Sequence, residues 1–191
     1  MIFIIESILL GISLAMDAFS VSVANGISKS FVERKKMFVM AFTFAFFQFF
    51  MPFTGYLIVN ILSMGIKKFI TIVPYIAFIL LMFLGGKMII ESILHKTDIK
   101  VKDELTVKEL LIQGVATSID ALSVGFVIVK YSMFQAFMAS LIIGVVTFFI
   151  CISGCVIGKK IGDKMGEKLN SIAEIVGGCI LVAIGLWVLL G

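Results

Sequence analysis

Six long apolar runs, each set off from the next by a short cluster of charges, constrain this chain more than any other feature. They cover roughly Ile2 to Ser28, Met37 to Leu62, Lys68 to Leu94, Thr106 to Val129, Met133 to Ile157 and Glu167 to Leu190. A helix crosses the hydrocarbon core of a bilayer in about 20 residues, so every run is long enough to span. The runs are continuous, whereas the strands of an outer-membrane barrel alternate apolar and polar residues, so helices are expected and a barrel is excluded. Composition agrees: 61% of the 191 residues are hydrophobic and 15% charged. Soluble domains average about 45–50% and about 25%, and this chain has too few polar side chains to coat a globule of its size. Soluble enzymes and disordered chains are set aside. The first run has no basic leader and carries Asp17 in its interior, so it reads as a retained helix and not as a signal peptide.

A net charge of +4 would suggest a nucleic-acid partner in a soluble protein. Here the basic residues sit between the runs, where they set topology, and no nucleic acid is expected. The connections after runs one, three and five hold twelve: Lys29, Arg34, Lys35, Lys36, Lys96, Lys100, Lys102, Lys108, Lys159, Lys160, Lys164 and Lys168. The other side holds three, Lys67, Lys68 and Lys130. By the positive-inside rule the first set faces the cytoplasm and both termini lie outside. The chain reads as a single membrane domain over 1–191, with a cytoplasmic tether at about 95–105 and no connection long enough for a soluble domain.

The halves on either side of that tether echo each other. Ser13-Leu-Ala-Met-Asp17-Ala-Phe-Ser20 in the first run matches Thr117-Ser-Ile-Asp120-Ala-Leu-Ser123 in the fourth, each with Ser three positions beyond an Asp. Gln48-Phe-Phe-Met-Pro-Phe-Thr-Gly55 in the second matches Thr147-Phe-Phe-Ile-Cys-Ile-Ser-Gly154 in the fifth. A duplicated unit of three spans enters the membrane from opposite sides in its two copies. The expected fold is therefore an all-α integral membrane protein of six transmembrane helices, built as two inverted three-helix repeats over about 1–95 and 106–191. Transporters of that architecture place their substrate near the midplane between the halves.

An ionised carboxylate at mid-bilayer costs at least about 2.5–3.5 kcal/mol, so one that is kept there faces a cavity, a partner or a ligand. Asp17 and Asp120 are such acids. Each has hydroxyl neighbours one turn away, Ser13 and Ser20 for the first, Thr117 and Ser123 for the second. Two facing carboxylates repel unless they share a proton or hold a cation, and a divalent cation removes the conflict. Pro52 lacks an amide hydrogen and so releases the Gln48 carbonyl four residues earlier. Either that oxygen and the Gln48 amide bind an ion or water, or Pro52 only kinks the helix and Gln48 bonds a neighbour. Lys87, Glu91 and Glu174 lie toward the cytoplasmic ends of their runs, where they could line an ion path or carry a coupling proton; Lys87 and Glu91, four apart, could equally pair with each other.

Oxygen donors favour Mg, Ca or Mn over Cu or Zn. The single His, His95, stands at a run's end, and Cys151, Cys155 and Cys179 are an odd number without a His partner, so packing is the expected role for the thiols. Gly154, Gly158, Gly162 and Gly166 repeat at four-residue spacing, a face on which another backbone could pack closely.

Several strings resemble the putative manganese efflux pump (MntP) family of bacterial inner-membrane proteins. They are Leu-Ala-Met-Asp17-Ala-Phe, Ala-Thr-Ser-Ile-Asp120-Ala-Leu-Ser-Val-Gly, Met-Pro52-Phe-Thr-Gly, Phe-Leu-Gly-Gly-Lys87-Met-Ile-Ile-Glu91 and Ala-Glu174-Ile-Val-Gly-Gly. The resemblance runs in order along the whole chain. It implies export of Mn2+ from the cytoplasm across the cell's inner membrane, with Asp17 and Asp120 foremost in handling the metal. Mn2+ is then a transported substrate, and no cofactor is expected. Some relatives carry an acid where this chain has Gln48, which leaves this site one negative charge fewer.

Other readings remain at this point. One is export of a different divalent cation or of a small amino-acid-like solute whose ammonium group the acids would bind. An intramembrane aspartyl protease is disfavoured because neither Asp lies in a Gly-x-Gly-Asp context, and a serine protease would need a membrane His.

Overall fold

The computed structural model describes residues 2–27, 34–65, 69–94, 107–160 and 163–190, and every regular element among them is helical. In order they are α1 (Ile2–Ile27), α2 (Arg34–Gly65), α3 (Phe69–Leu94), α4 (Val107–Ala116), a 3-10 segment (Asp120–Val124), α5 (Gly125–Ile128), α6 (Met133–Lys160) and α7 (Asp163–Leu190). Among the described residues, four stretches are long and apolar enough to cross a membrane: Phe3–Gly26, Arg34–Ser63, Leu110–Ile128 and Met133–Lys160. On α3 and α7 the apolar stretches within the described residues are shorter, Phe78–Lys87 and Gly178–Trp187. The expected tether at 95–105 lies outside the described residues.

The fourth run is not the continuous helix expected from Thr106 to Val129. It stops at Ala116, turns, tightens into the 3-10 segment and resumes as α5. The cause is local. In an α-helix the Gly114 carbonyl would accept the Ser118 amide, but the hydroxyls of Thr117 and Ser118 both donate to it, at 3.3 and 2.7 Å. The Ser118 amide turns to Val115 O at 3.1 Å and the Leu122 amide to Ile119 O at 3.2 Å, both three residues back. Ile119 keeps right-handed helical angles, φ −62° and ψ −40°. The chain tightens without unwinding, a pattern that in mid-helix marks a hinge or a strained site.

Helices pack across the two halves more than within them. α1 lies against α6 and α7, α2 against α6 and the 3-10 and α5 pieces, and α3 against α7. Leu10, Leu14, Tyr56, Leu81, Val124, Ile128, Ile143 and Leu181 form the main buried cluster, and Ala18, Met40, Phe44, Cys151 and Cys155 a second. On α2 the rings of Phe38, Phe42, Phe46 and Phe50 are exposed at four-residue spacing, while Met40, Phe44 and Gln48 are buried. One stripe suits lipid and the other the bundle.

Two glycine crossings bring backbones together. At Gly55 and Gly125, α2 meets α5 so closely that a side-chain carbon on either would collide with the other's backbone or with Leu122 O. Gly158 and Gly26 do the same for α6 and α1. Gly154 is less tight: a side-chain carbon there would stand 3.1 Å from Phe19 O and 3.2 Å from Ser22 Cβ. The expected four-glycine ladder is not carried on one helix: Gly154 and Gly158 are on α6 and Gly166 is on α7, while Gly162 lies outside the described residues.

Candidate functional site

α1 and the broken α4–α5 strand of helix run in opposite senses, tied at both ends. At one end Lys130 Nζ lies 3.2 and 3.1 Å from the two Glu6 carboxylate oxygens, and the Tyr131 hydroxyl donates to Glu6 as well. At the other, Asn25 Nδ2 donates to Gln113 Oε1 at 3.2 Å and lies 3.3 Å from Met40 Sδ. Glu6 stands eleven residues before Asp17 and Tyr131 eleven after Asp120; Asn25 stands eight after Asp17 and Gln113 seven before Asp120. The residue counts from the two ties to the acids thus match to within one residue, which sets the acids at similar depth along the opposed elements. Both are half-buried, and the charges of Asp17 and Lys87 are the side-chain charges that reach Asp120. Three elements, α1, α3 and the 3-10 segment, thus bring charge to one place.

Gln48 spans the pair. Fully buried on α2, it donates its Nε2 to Leu14 O and to Thr117 O, each at 3.1 Å. Leu14 lies three residues before Asp17 and Thr117 three before Asp120, so one amide holds matching carbonyls on the two acid-bearing elements. Because both bonds need hydrogens, the nitrogen's identity is fixed by its partners and Oε1 must point elsewhere. That oxygen is buried and has no hydrogen-bond partner among the described residues, and the same holds for Ser20 Oγ. Buried oxygens without partners are costly, and an ion or water that used them would relieve the cost. α2 runs through Pro52 without interruption.

The other hydroxyls expected at the site are engaged with backbone. Thr117 Oγ1 donates to Gln113 O at 2.9 Å, and Ser123 Oγ to Asp120 O at 2.6 Å. Donation uses their hydrogens and leaves oxygen lone pairs to coordinate. Lys87 is exposed on α3. The side chains of Glu91 and Glu174, and His95 altogether, lie outside the described residues. Cys151 and Cys155 are buried in the core while Cys179 is exposed, so the thiols do not gather. Among the described residues no three His, Cys, Asp or Glu side chains come together. The available donors are thus two carboxylates with amide, hydroxyl and carbonyl oxygens, a set that suits a hard divalent cation as cargo.

Sequence reasoning missed both end ties. Glu6 carried a usable signal, being an acid inside an apolar run with Lys130 as the nearest cation at the same expected membrane face. Asn25 and Gln113 carried none, because each is an ordinary amide until the fold pairs them.

Oxygen donors gathered between the halves of an otherwise apolar helical bundle define a multi-pass membrane protein of the ion-transporter class. A family model described as "Putative manganese efflux pump" matches residues 31–189, and the chain belongs to that family. A protein named "Putative manganese efflux pump MntP" from Methanobrevibacter smithii is 40% identical over 98% of this chain and 97% of its own length. One from Methanosphaera stadtmanae is 41% identical over 96% and 97%, and one from Bacteroides thetaiotaomicron 39% over 97% and 95%. No solved structure matches. The family is one of efflux transporters and not of enzymes.

Proposed function

We propose that the protein exports Mn2+ from the cytoplasm across the inner membrane, binding the ion between Asp17 and Asp120 near the midplane. Gln48 Oε1 and the oxygens of Ser20, Ser123 and Thr117 complete the shell. The observation that carries this reading is that Gln48 bonds matching carbonyls three residues before each acid while its own buried oxygen has no hydrogen-bond partner among the described residues. Two carboxylates neutralise one Mn2+, and oxygens take the place of its water. On the return leg each carboxylate takes a proton, so one Mn2+ leaves as two protons enter and no net charge moves. Lys87, whose charge reaches Asp120, lines the ion path beside the pair. Glu91 and Glu174 serve the cytoplasmic mouth.

Six spans in two inverted repeats suit this function. α3 and α7 have 26 and 28 residues, about 40 Å at 1.5 Å per residue and enough to cross. The contacts are also paired as an inverted repeat requires. Gly55 meets Leu122 and Gly125; its counterpart Gly154 meets Phe19 and Ser22, which are the counterparts of those two residues. Leu14 and Thr117, both held by Gln48, are counterparts too. The twelve-to-three distribution of Lys and Arg supports termini on the outside.

The test is metal flux in proteoliposomes, comparing the intact chain with Asp17→Asn and Asp120→Asn. Each substitution is expected to lower Mn2+ flux by at least about tenfold, the loss that removing even an outer-shell partner of a metal produces. Undiminished flux in both variants overturns the site. An imposed pH gradient that leaves the rate unchanged overturns the proton exchange.

A further inference from the structure

The cluster of Glu6, Lys130 and Tyr131 is larger than a fold of this kind needs to fasten one turn. Glu6, in the first turns of α1, accepts from the Lys130 ammonium at 3.1 Å and from the Tyr131 hydroxyl. The Tyr131 carbonyl accepts from the Tyr56 hydroxyl of α2 at 3.3 Å. Phe3 packs edge-on to the Tyr131 ring at 5.0 Å, and Lys130 Nζ lies 5.3 Å from that ring's centre. The carboxylate ties α1 to the turn between α5 and α6, and the Tyr131 carbonyl ties that turn to α2. Glu6 is well covered, 13% exposed against 45% for Lys130. Charge-assisted hydrogen bonds are roughly twice as strong as neutral ones, and covered ones are screened least.

Position gives the cluster a role. The turn holding Lys130 and Tyr131 is joined to Asp120 by the 3-10 segment and by α5, of five and four residues. The two pieces join through right-handed helical angles at Val124 and Gly125, so Tyr131 and Asp120 stand at the ends of one short helical path. The tie at the opposite end, Asn25 to Gln113, is a neutral amide pair. The strong tie and the weak one sit at opposite ends of the same opposed pair of elements.

We infer that Glu6, Lys130 and Tyr131 form the outer gate of the transport path, a latch that parts each time the site opens at the end where α1 begins. The inference rests on the transport reading above. A static fastening and a gate predict opposite outcomes when the latch is locked. A fastening is indifferent to a covalent link, whereas a gate stalls.

The decisive experiment places thiols at the latch, Glu6→Cys with Tyr131→Cys, in a chain carrying Cys151→Ala, Cys155→Ala and Cys179→Ala. The two residues meet through long side chains, so the thiols are joined by a short reversible bis-methanethiosulfonate linker rather than a direct disulfide. Mn2+ flux in proteoliposomes is expected to fall by at least about tenfold on linking and to return on reduction, as a population held in one state demands. Flux that is the same linked and unlinked, in protein whose flux still depends on Asp17, overturns the gate and leaves the transport reading standing. Absence of Asp17-dependent flux in the intact chain strikes the transport reading itself.

A second arm avoids cross-linking. With Glu6→Gln and Tyr131→Phe the ionic contacts go while the ring packing stays, and the population open at this end is expected to rise. The readout is the labelling rate of Met16→Cys by a membrane-impermeant thiol reagent applied from the side of the N-terminus. The expected increase is about tenfold, the shift in a two-state equilibrium from losing one charge-assisted bond. An unchanged labelling rate counts against the gate even if the cysteine pair fails to fold.

Discussion

Asp17 and Asp120 stand in nearly the same string of residues and on different backbones. α1 passes through Asp17 as unbroken α-helix, whereas the second copy breaks just ahead of Asp120 and holds it in the 3-10 segment. Glycine is not the difference, because Gly11 and Gly114 occupy matching positions. What differs is the pair of residues that follow: Leu14 and Ala15 in the first copy, Thr117 and Ser118 in the second. The Ser118 hydroxyl takes the Gly114 carbonyl at 2.7 Å, with Thr117, bonded chiefly to Gln113 O at 2.9 Å, also in reach of it, and the Ser118 amide goes to Val115 O instead. A lone hydroxyl such as Ser22, bonded to Ala18 O at 2.6 Å, leaves α1 intact. Two similar strings thus adopt different backbones, continuous α-helix around Asp17 and a broken, 3-10 path at Asp120.

The comparison breaks most severely at the glycine crossing that seats the broken copy. A side chain at Gly55 or Gly125 meets backbone on the opposing element, which cannot step aside. Gly55→Ala and Gly125→Ala are expected to cost well beyond the roughly 1–3 kcal/mol typical of overpacking, and to remove the monodisperse peak in detergent size-exclusion chromatography. At the matching crossing against α1, the nearest atom to a carbon added at Gly154 is a Phe19 ring carbon at 3.0 Å, a side chain that can shift, and Gly154→Ala is expected to survive with a lowered melting temperature. Gly86→Ala, with nothing within 4 Å, serves as the neutral control. Equal losses at Gly55 and Gly154 would show that the two crossings are equally tight.

Gln48 is the next test, because it holds the continuous and the broken copy to one spacing. Gln48→Met keeps the volume but loses both donors and the proposed ligand oxygen; Mn2+ affinity is expected to fall by at least about tenfold while the protein still folds, since even an outer-shell partner of a metal is worth about 10–100-fold. Gln48→Glu is the sharper variant. An ionised carboxylate cannot donate to Leu14 O or Thr117 O, so it loses the bridge even as it adds a charge that attracts Mn2+. A gain in affinity without loss of turnover would mean that charge matters more at this position than the bridge.

A smaller effect is expected from removing the hydroxyl that sits closest on the Gly114 carbonyl, Ser118→Ala, which leaves Thr117 in place. The Gly114 carbonyl regains its amide donor and the segment straightens into α-helix. Maximal flux is expected to fall severalfold, with Mn2+ affinity changed less, because an opening step and not the binding step is slowed. Slower hydrogen exchange of the Ser118-to-Leu122 amides, now in α-helical bonds, is the structural readout.

Much of this was legible in the residues. The apolar runs, the acids inside them and the echo between the halves follow from period and composition, since a bilayer asks for long uninterrupted helices and penalises each charge within them. The break ahead of Asp120 was not legible, because Thr and Ser are found in continuous membrane helices throughout this chain and only their adjacency behind Gly114 makes the difference. Gln48 could be picked out as a polar residue near Pro52. That its nitrogen would join two carbonyls on different elements depends on packing between helices, which no local pattern encodes. The Glu6 latch joins residues more than a hundred positions apart for the same reason.

The least disruptive test follows the broken copy to its end at Tyr131. Burial first, and the hydrogen bond and charge of Glu6 second, push the Tyr131 phenol above its ordinary value of 10.0. The sign is that of a proton held more tightly in the folded protein than in the unfolded chain. This contribution to stability is complete below the ordinary tyrosine range and is lost as pH climbs through the raised, folded value. Of the three tyrosines, Tyr131 is expected to show no phenolate absorbance at a pH where a free tyrosine is ionised, and to ionise abruptly when the protein unfolds in alkali. The assignment is made by Tyr131→Phe, which removes the late-titrating signal. Glu6→Gln removes the negative charge and part of the hydrogen bonding, so the phenol then titrates earlier but still late, because burial remains. Titration of Tyr131 with free tyrosine in the folded protein would mean that the latch is already open to water, and that the broken copy is loose at both ends.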